Sequence, residues 1–227
     1  MHLLAIPLLL FCLLFGPSWW IRWVLRKHAT PLPGCRWSGA ELAEHLLLRK
    51  GIQGVTVRLS PLGDHYDPSS RSVNLSQDHF HGRSLTALTV AAHEVGHALQ
   101  HADGDRKLAL RTALVERATG LEKLLPWVVG VLAVLALVIR IPAFFLLVAV
   151  LFLISLALRT LTHVVTLPVE WDASFGRALP MLEETGVIHP RDTPAARRIL
   201  TAAALTYVSA SLASALRLSR WFRMLRV

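Results

Sequence analysis

The sequence predicts a mainly α-helical, multi-pass membrane protein with a small β-hairpin or edge strand. Composition is the first observation: 53% of the 227 residues are hydrophobic and only 17% are charged, whereas soluble domains have about 25% charged residues. The apolar residues also lie in continuous runs, which is typical of membrane-spanning helices. Between two such runs, alternating apolar residues predict short strands and apolar residues at helical spacing predict a long helix.

The first apolar run, residues 3–25, is predicted to be a retained membrane anchor. A signal peptide would have a basic residue before the run and an A-x-A site after it, and the sequence has neither. Trp19, Trp20 and Trp23 are placed like the aromatic belt at a membrane interface. Because basic residues follow the run, the positive-inside rule predicts that the next segment is cytoplasmic.

The next segment, residues 27–123, is polar enough to lie in water. It begins with an amphipathic helix for which Ser38 is the predicted N-cap. Alternation at residues 54–60 and 71–76 predicts two strands on either side of a turn. A helix at residues 84–101 follows, and its serine is the predicted N-cap.

Two further apolar runs are predicted to form a membrane helical hairpin over residues 124–158. The runs have 16 and 18 residues and are separated by Arg140 and Pro142. A single helix through both would be about 50 Å long, which is too long for a hydrocarbon core of about 30 Å. Residues 159–199 are predicted to contain a helix that carries a candidate metal ligand, Glu170, and residues 200–227 are predicted to form a C-terminal membrane helix with an arginine-rich tail.

The net charge of +9 does not indicate a nucleic-acid partner. The basic residues lie beside the apolar runs, where membrane proteins place them near lipid headgroups. The sequence has no RNP-like aromatic motif and no Cys/His finger. Its two cysteines, Cys12 and Cys35, cannot form a thiolate metal site. A lipid bilayer is therefore the expected partner, and the cell membrane the expected location.

The stretch HEVGH, residues 93–97, has the H-E-x-x-H pattern of a zincin-like helix. His93 and His97 share one helix face, and neutral imidazole is an ordinary zinc ligand. Glu94 lies about 100° further around the helix, where it can take a proton from water as a general base. His101 repeats the spacing but lies about 12 Å along the axis from His93, too far for the same tetrahedral site.

A catalytic zinc ion needs a third protein ligand and one open position. The candidates are Asp64, His65, Asp67, Asp103, Asp105 and Glu170. Topology favours Glu170, because the predicted hairpin returns the chain to the side of the membrane that carries HEVGH. Ser174 shares a helix face with Glu170 and could hydrogen-bond a ligand histidine. Alternatively, Glu170 and Asp172 are solvated acids at a helix start, where the dipole favours them.

Five motifs occur in a characteristic order: DHYDP, VNLS, VAAHEVGHALQH, VTLPVEWDAS and AALTYVSASL. Through them, residues 54–216 resemble the YugP-type membrane zinc metallopeptidases. The order of zinc helix, hairpin and glutamate is also similar to that of the HtpX and CAAX prenyl protease group. The resemblance implies a catalytic base, Glu94, and one zinc ion with three protein ligands, His93, His97 and Glu170. HtpX-like proteins usually carry an aspartate four residues after the ligand glutamate, where this chain has Ser174.

The predicted function is that of a membrane-embedded zinc metalloprotease with its site on the cytoplasmic side. Glu94 would take a proton from water and return it to the leaving amine of a polypeptide substrate. Tyr207 is the predicted oxyanion donor and His163 the second candidate, although Tyr207 also suits a membrane-interface anchor. The edge of strand 71–76 is expected to pair with the extended substrate. A non-catalytic membrane scaffold or adaptor with a structural metal site is the alternative.

Overall fold

The structure is a computed structural model that describes residues 2–139 and 142–215. Its α-helices are α1 (His2–Lys27), α2 (Gly39–Arg49), α3 (Gln77–Phe80), α4 (Leu85–Ala102), α5 (Arg106–Ile139), α6 (Pro142–Trp171), α7 (Leu179–Glu184) and α8 (Thr193–Ala215). A π-helical segment, Asp172–Ala178, joins α6 to α7, and a 3₁₀ turn, Pro190–Asp192, precedes α8. Its strands are β1 (Thr56–Leu59), β2 (His65–Asp67) and β3 (Ser72–Leu75). The described chain is therefore mainly helical with one small sheet.

The sheet has the strand order β1-β3-β2. Val73 of the central strand β3 lies opposite Val57 of β1 in a parallel pair and opposite Tyr66 of β2 in an antiparallel pair. The two predicted strands, 54–60 and 71–76, correspond to β1 and β3, but they pair in parallel and not as a hairpin; the antiparallel partner of β3 is β2, which includes part of the predicted turn. The prediction of a free edge at residues 71–76 is wrong, because β3 is paired on both sides. Among the described strands, β1 and β2 form the edges of the sheet.

Helix α4 lies at the centre of the fold, with most of its residues buried. Ser84 caps it, since its hydroxyl accepts a hydrogen bond from the Ala87 N–H at 3.1 Å, in agreement with the sequence. Leu88 and Val95 are fully buried, and α4 packs against α2, the sheet, the π-helical segment and α8. Because α4 is closely packed on all these sides, the side chains between Leu88 and Val95 have defined positions.

The prediction of a multi-pass membrane protein is wrong. Within residues 2–139 and 142–215, the structure contains no helix that combines the length and the apolar character needed to cross a membrane. The predicted hairpin runs of 16 and 18 residues are shorter than the about 20 apolar residues that a span requires. They form only parts of α5 and α6, and α5 begins with the charged stretch 106–123. The two helices do pack against each other.

Candidate metal centre

Three buried side chains from two distant parts of the chain converge on one point. His93 and His97 come from successive turns of α4, and Glu170 comes from the last turn of α6. Nε2 of each histidine lies 3.2 Å from Oε2 of Glu170, and the three atoms all lie within 4.8 Å of one another. Glu170 is only 1% exposed, so the alternative of a solvated helix-start acid is wrong for this residue. The structure thus brings together the three predicted ligands.

The Gln100 side chain determines which nitrogen of His97 carries the proton. Its amide nitrogen donates to the Val169 carbonyl and to the Asp172 carboxylate, both at 2.9 Å. The amide oxygen therefore faces Nδ1 of His97, 3.0 Å away, and accepts its hydrogen. Nε2 of neutral His97 is left with a lone pair that points at Glu170. A metal ligand histidine held by its other nitrogen in this way is the usual arrangement.

Ser174 has the same effect on His93. Its hydroxyl donates to the Leu200 carbonyl at 3.4 Å, so its oxygen can accept from Nδ1–H of His93 at 3.0 Å. Nε2 of His93 then also presents a lone pair to the centre. Two lone pairs and a carboxylate oxygen in contact repel one another unless a cation lies between them. Two imidazoles and one carboxylate are also a donor set of catalytic zinc sites, so these residues fit a zinc ion.

The Glu170 carboxyl is held in its ionised form. Burial alone would raise its pKa, but when both rings are protonated in the absence of a metal ion, the charge of His97 and the hydrogen bonds from both rings hold the pKa well below its usual range. Nη2 of Arg111 lies 3.4 Å from its second oxygen, Oε1. The carboxylate therefore offers a negative oxygen to a metal ion, while Arg111 neutralises part of the charge that remains.

Glu94 is buried beside the ligands but is not one of the three. The Tyr66 backbone, on the edge strand β2, lies close enough to its carboxylate to favour the ionised form. Burial raises the pKa of Glu94 to about 7; the charge of His93 opposes this shift, and the charges of Glu170 and Asp64 add to it. A carboxyl group whose pKa lies near neutral pH is suited to act as a general base.

A cavity of about 210 Å³ opens onto the three ligands and Glu94. Asp64, Tyr66 and His79 line one part of it, and Arg111 and Thr206 line another. Positively and negatively charged side chains therefore face the same small cavity, as is usual in a site that orients a substrate.

The other predicted candidates do not join the metal ligand set within the described part of the chain. They are Asp64, His65, Asp67, Asp103 and Asp105. His101 was excluded by its distance along the helix, and its Nδ1 lies 2.7 Å from the Tyr66 hydroxyl instead. The side chains of Tyr207 and His163 lie outside the described residues, so the predicted oxyanion donors stay predictions.

Sequence reasoning missed three residues of the site. Gln100 had a usable signal, because it lies three residues after His97 and so shares its helix face. Arg111 had none, since it is one of several basic residues in a charged stretch. His79 had none either, because only the folded chain brings α3 to the cavity wall.

Gly96 lies between the two ligand histidines where another backbone crosses α4. The sequence predicts such a close approach, since glycine is a poor helix former. A Cβ atom on Gly96 would lie 2.6 Å from the Ala173 carbonyl oxygen. We expect Gly96→Ala to lower the free energy of unfolding by about 1–3 kcal/mol, because the π-helical segment and α4 must separate. Urea titration of the metal-free protein measures this effect.

Gly120→Ala is the matched control for this substitution. Gly120 lies inside α5, and no atom lies within 4 Å of the position where its Cβ would be. Alanine in an open helix position is expected to stabilise by up to about 1 kcal/mol. If the two variants change the free energy of unfolding equally, the contact with Ala173 does not determine the residue at position 96.

Comparison with known proteins shows which family the chain belongs to. A family model described as "Putative neutral zinc metallopeptidase" matches residues 1–226, a longer range than the motifs indicate. The chain is 34% identical over 218 residues to the "Putative membrane protease YugP" of Bacillus subtilis (strain 168), which covers 91% of this chain and 90% of that protein. No solved structure matches the chain significantly. The resemblance drawn from the five motifs is therefore confirmed, and the chain belongs to this zinc metallopeptidase family.

Proposed function

We propose that this protein is a zinc-dependent metallopeptidase that hydrolyses peptide bonds. The observation that carries the proposal is the convergence of His93, His97 and Glu170 at a cavity that also contains Glu94. Family membership supports the same chemistry. When bound, a zinc ion supplies a Lewis acid that polarises a carbonyl group and makes water more acidic. His93, His97 and Glu170 would hold the ion, and three protein ligands are the number that catalytic zinc sites use.

The proton transfers are assigned to Glu94. As the oxygen of water bonds to the scissile carbonyl carbon, Glu94 takes the proton from that water. As the C–N bond breaks, Glu94 returns the proton to the leaving amine. Because Glu94 is buried, few waters compete for this proton.

The edge strand β2 is the proposed binding strand for the substrate backbone. Its residues His65 and Tyr66 line the metal cavity, and β2 pairs with β3 on one side only. An extended polypeptide can add to such an edge through main-chain hydrogen bonds. The substrate would then pass beside Glu94 in the conformation that exposes each peptide bond.

We also propose that the protein associates with a lipid bilayer. Large apolar side chains are exposed on α1 and α5, among them Trp19 at 76% and Trp127 at 69%. Basic side chains at the end of α1, Arg26 and Lys27, favour the anionic leaflet of the cytoplasmic face. The name of the relative as a membrane protease agrees with this. Flotation with phosphatidylserine-containing liposomes tests it, and protein that stays at the bottom of the gradient contradicts it.

Chelation separates a peptidase from a scaffold with a structural metal. The purified protein is expected to contain one zinc ion per chain and to cleave casein. A chelator should abolish cleavage, and added zinc should restore it. Stoichiometric zinc without cleavage of casein or membrane-protein fragments would favour the scaffold. A structural site usually has four protein ligands, whereas the described residues provide three.

A further inference from the structure

A histidine and an aspartate outside the ligand set form a pair in the wall of the metal cavity. Nδ1 of His79 lies 2.8 Å from Oδ2 of Asp64. Asp64 also accepts hydrogen bonds from the Ser76 N–H at 2.8 Å and from the Ser76 hydroxyl at 3.0 Å. The side chains of His79 and Asp64 are 18% and 20% exposed. Both are therefore fixed by the protein and still accessible from the cavity.

Asp64 determines the orientation of the His79 ring through the contact with Nδ1. Burial opposes ionisation of Asp64, but the hydrogen bond and charge of His79 and the hydrogen bonds from Ser76 together lower its pKa. An ionised Asp64 keeps a hydrogen on Nδ1 of His79 and stabilises the ring when Nε2 is protonated as well. The second ring nitrogen, Nε2, takes no part in this pair and donates a hydrogen bond when it carries a proton.

The pair faces the same small volume as the metal ligands. Asp64 and His79 line the cavity of about 210 Å³ together with Glu94. Asp64 is close enough for its charge to raise the pKa of Glu94. His79 belongs to α3, which packs against α4, so the position of the ring is tied to the helix that carries the ligand histidines.

We propose that His79 is a catalytic residue that donates a hydrogen bond from Nε2 to the oxygen of the scissile carbonyl. Asp64 is the positioning residue that holds the ring. The inference rests on the proposed peptidase function. As water adds to the carbonyl carbon, its proton goes to Glu94 and the C=O π pair moves onto oxygen, which accepts the bond from His79. When the C–N bond breaks, the proton on Glu94 goes to the amine, and His79 keeps its own proton throughout.

Kinetics of the zinc-loaded enzyme test this role. His79→Ala is expected to lower kcat about 100-fold, the usual effect of removing one oxyanion donor. KM should change less than about threefold, because the hydrogen bond strengthens only as charge develops. Asp64→Asn should lower kcat about tenfold with KM unchanged, because the His79 ring loses the carboxylate that orients it. If Asp64 has only a structural role, the substitution should lower the stability of the protein and leave kcat unchanged. His81→Ala is the control: this neighbouring ring packs edge-to-face with Phe80 and does not line the metal cavity.

Binding of a phosphinic peptide, which mimics the tetrahedral oxyanion, gives a readout that does not depend on turnover. Calorimetry should show about tenfold weaker binding to His79→Ala and unchanged binding to His81→Ala, with one zinc ion in each. If His79→Ala fails to fold, His79→Gln keeps most of the side-chain volume and should show the same direction of change. Wild-type kcat and wild-type phosphinate affinity in the His79 variants would overturn the role of His79 and leave the peptidase function intact. A wild-type protein that cleaves no peptide would overturn the proposed function instead.

Discussion

Glu94→Gln is expected to lower kcat for casein cleavage by about 100- to 10,000-fold, the range of general acid–base catalysis. Glutamine has the shape of glutamate, but its amide cannot take a proton from water. Because the side chain is buried and the substitution preserves its size, it should keep its position. Because Glu94 is not one of the three ligands, the variant should still bind one zinc ion. Metal analysis and steady-state kinetics on the same preparation measure both properties.

The control for this substitution is Glu44→Gln, which makes the same chemical change at an exposed position of α2. It should retain wild-type kcat and zinc content. A Glu94→Gln variant that cleaves as fast as the wild type would show that another group is the base. Loss of zinc in that variant would show instead that Glu94 helps to bind the ion.

Local signals predicted the centre of this fold correctly. The apolar spacing and the Ser84 cap define α4, and a two-histidine motif on a helix needs no tertiary information to place both rings on one face. Glu170 was reached less directly, from the expected return of the chain and from the family resemblance. Its approach to His93 depends on the packing of the π-helical segment that follows α6 against α4, which no local pattern specifies.

Long-range features explain what the sequence could not predict. Composition and apolar runs measure hydrophobicity but do not show where a helix begins and ends. Helix α5 includes a charged stretch as well as its apolar run, so the run does not form a separate helix. The strand order β1-β3-β2 depends on the crossover between β1 and β3, so alternation alone assigned the free edge to the wrong strand. A π-helix is also not encoded by a residue pattern, yet it gives Ser174 its contact with His93.

Glu170→Gln is expected to weaken zinc binding by more than about 100-fold. Substitution of residues that only hydrogen-bond to metal ligands already lowers metal affinity by about 10–100-fold, and Glu170 is itself a proposed ligand. The neutral amide oxygen has the same reach but cannot supply the negative charge that complements the ion. Competition with a chromogenic chelator measures the affinity. Glu184→Gln is the matched control, since Glu184 makes a surface ion pair with Lys50 and is not one of the three ligands. It should bind zinc like the wild type.

The same substitution separates two reasons for burying this carboxylate. In the zinc-free protein, Glu170 is in contact with Arg111 and with both ligand histidines. Removing one partner of a buried charge pair lowers the free energy of unfolding by about 3–5 kcal/mol. If the carboxylate serves mainly to hold α6 against α4, Glu170→Gln should destabilise the metal-free protein by that amount while zinc affinity changes little. If it is a ligand, zinc should stabilise the wild type against urea and leave the variant unchanged. Full zinc affinity in Glu170→Gln would mean that a different side chain completes the centre.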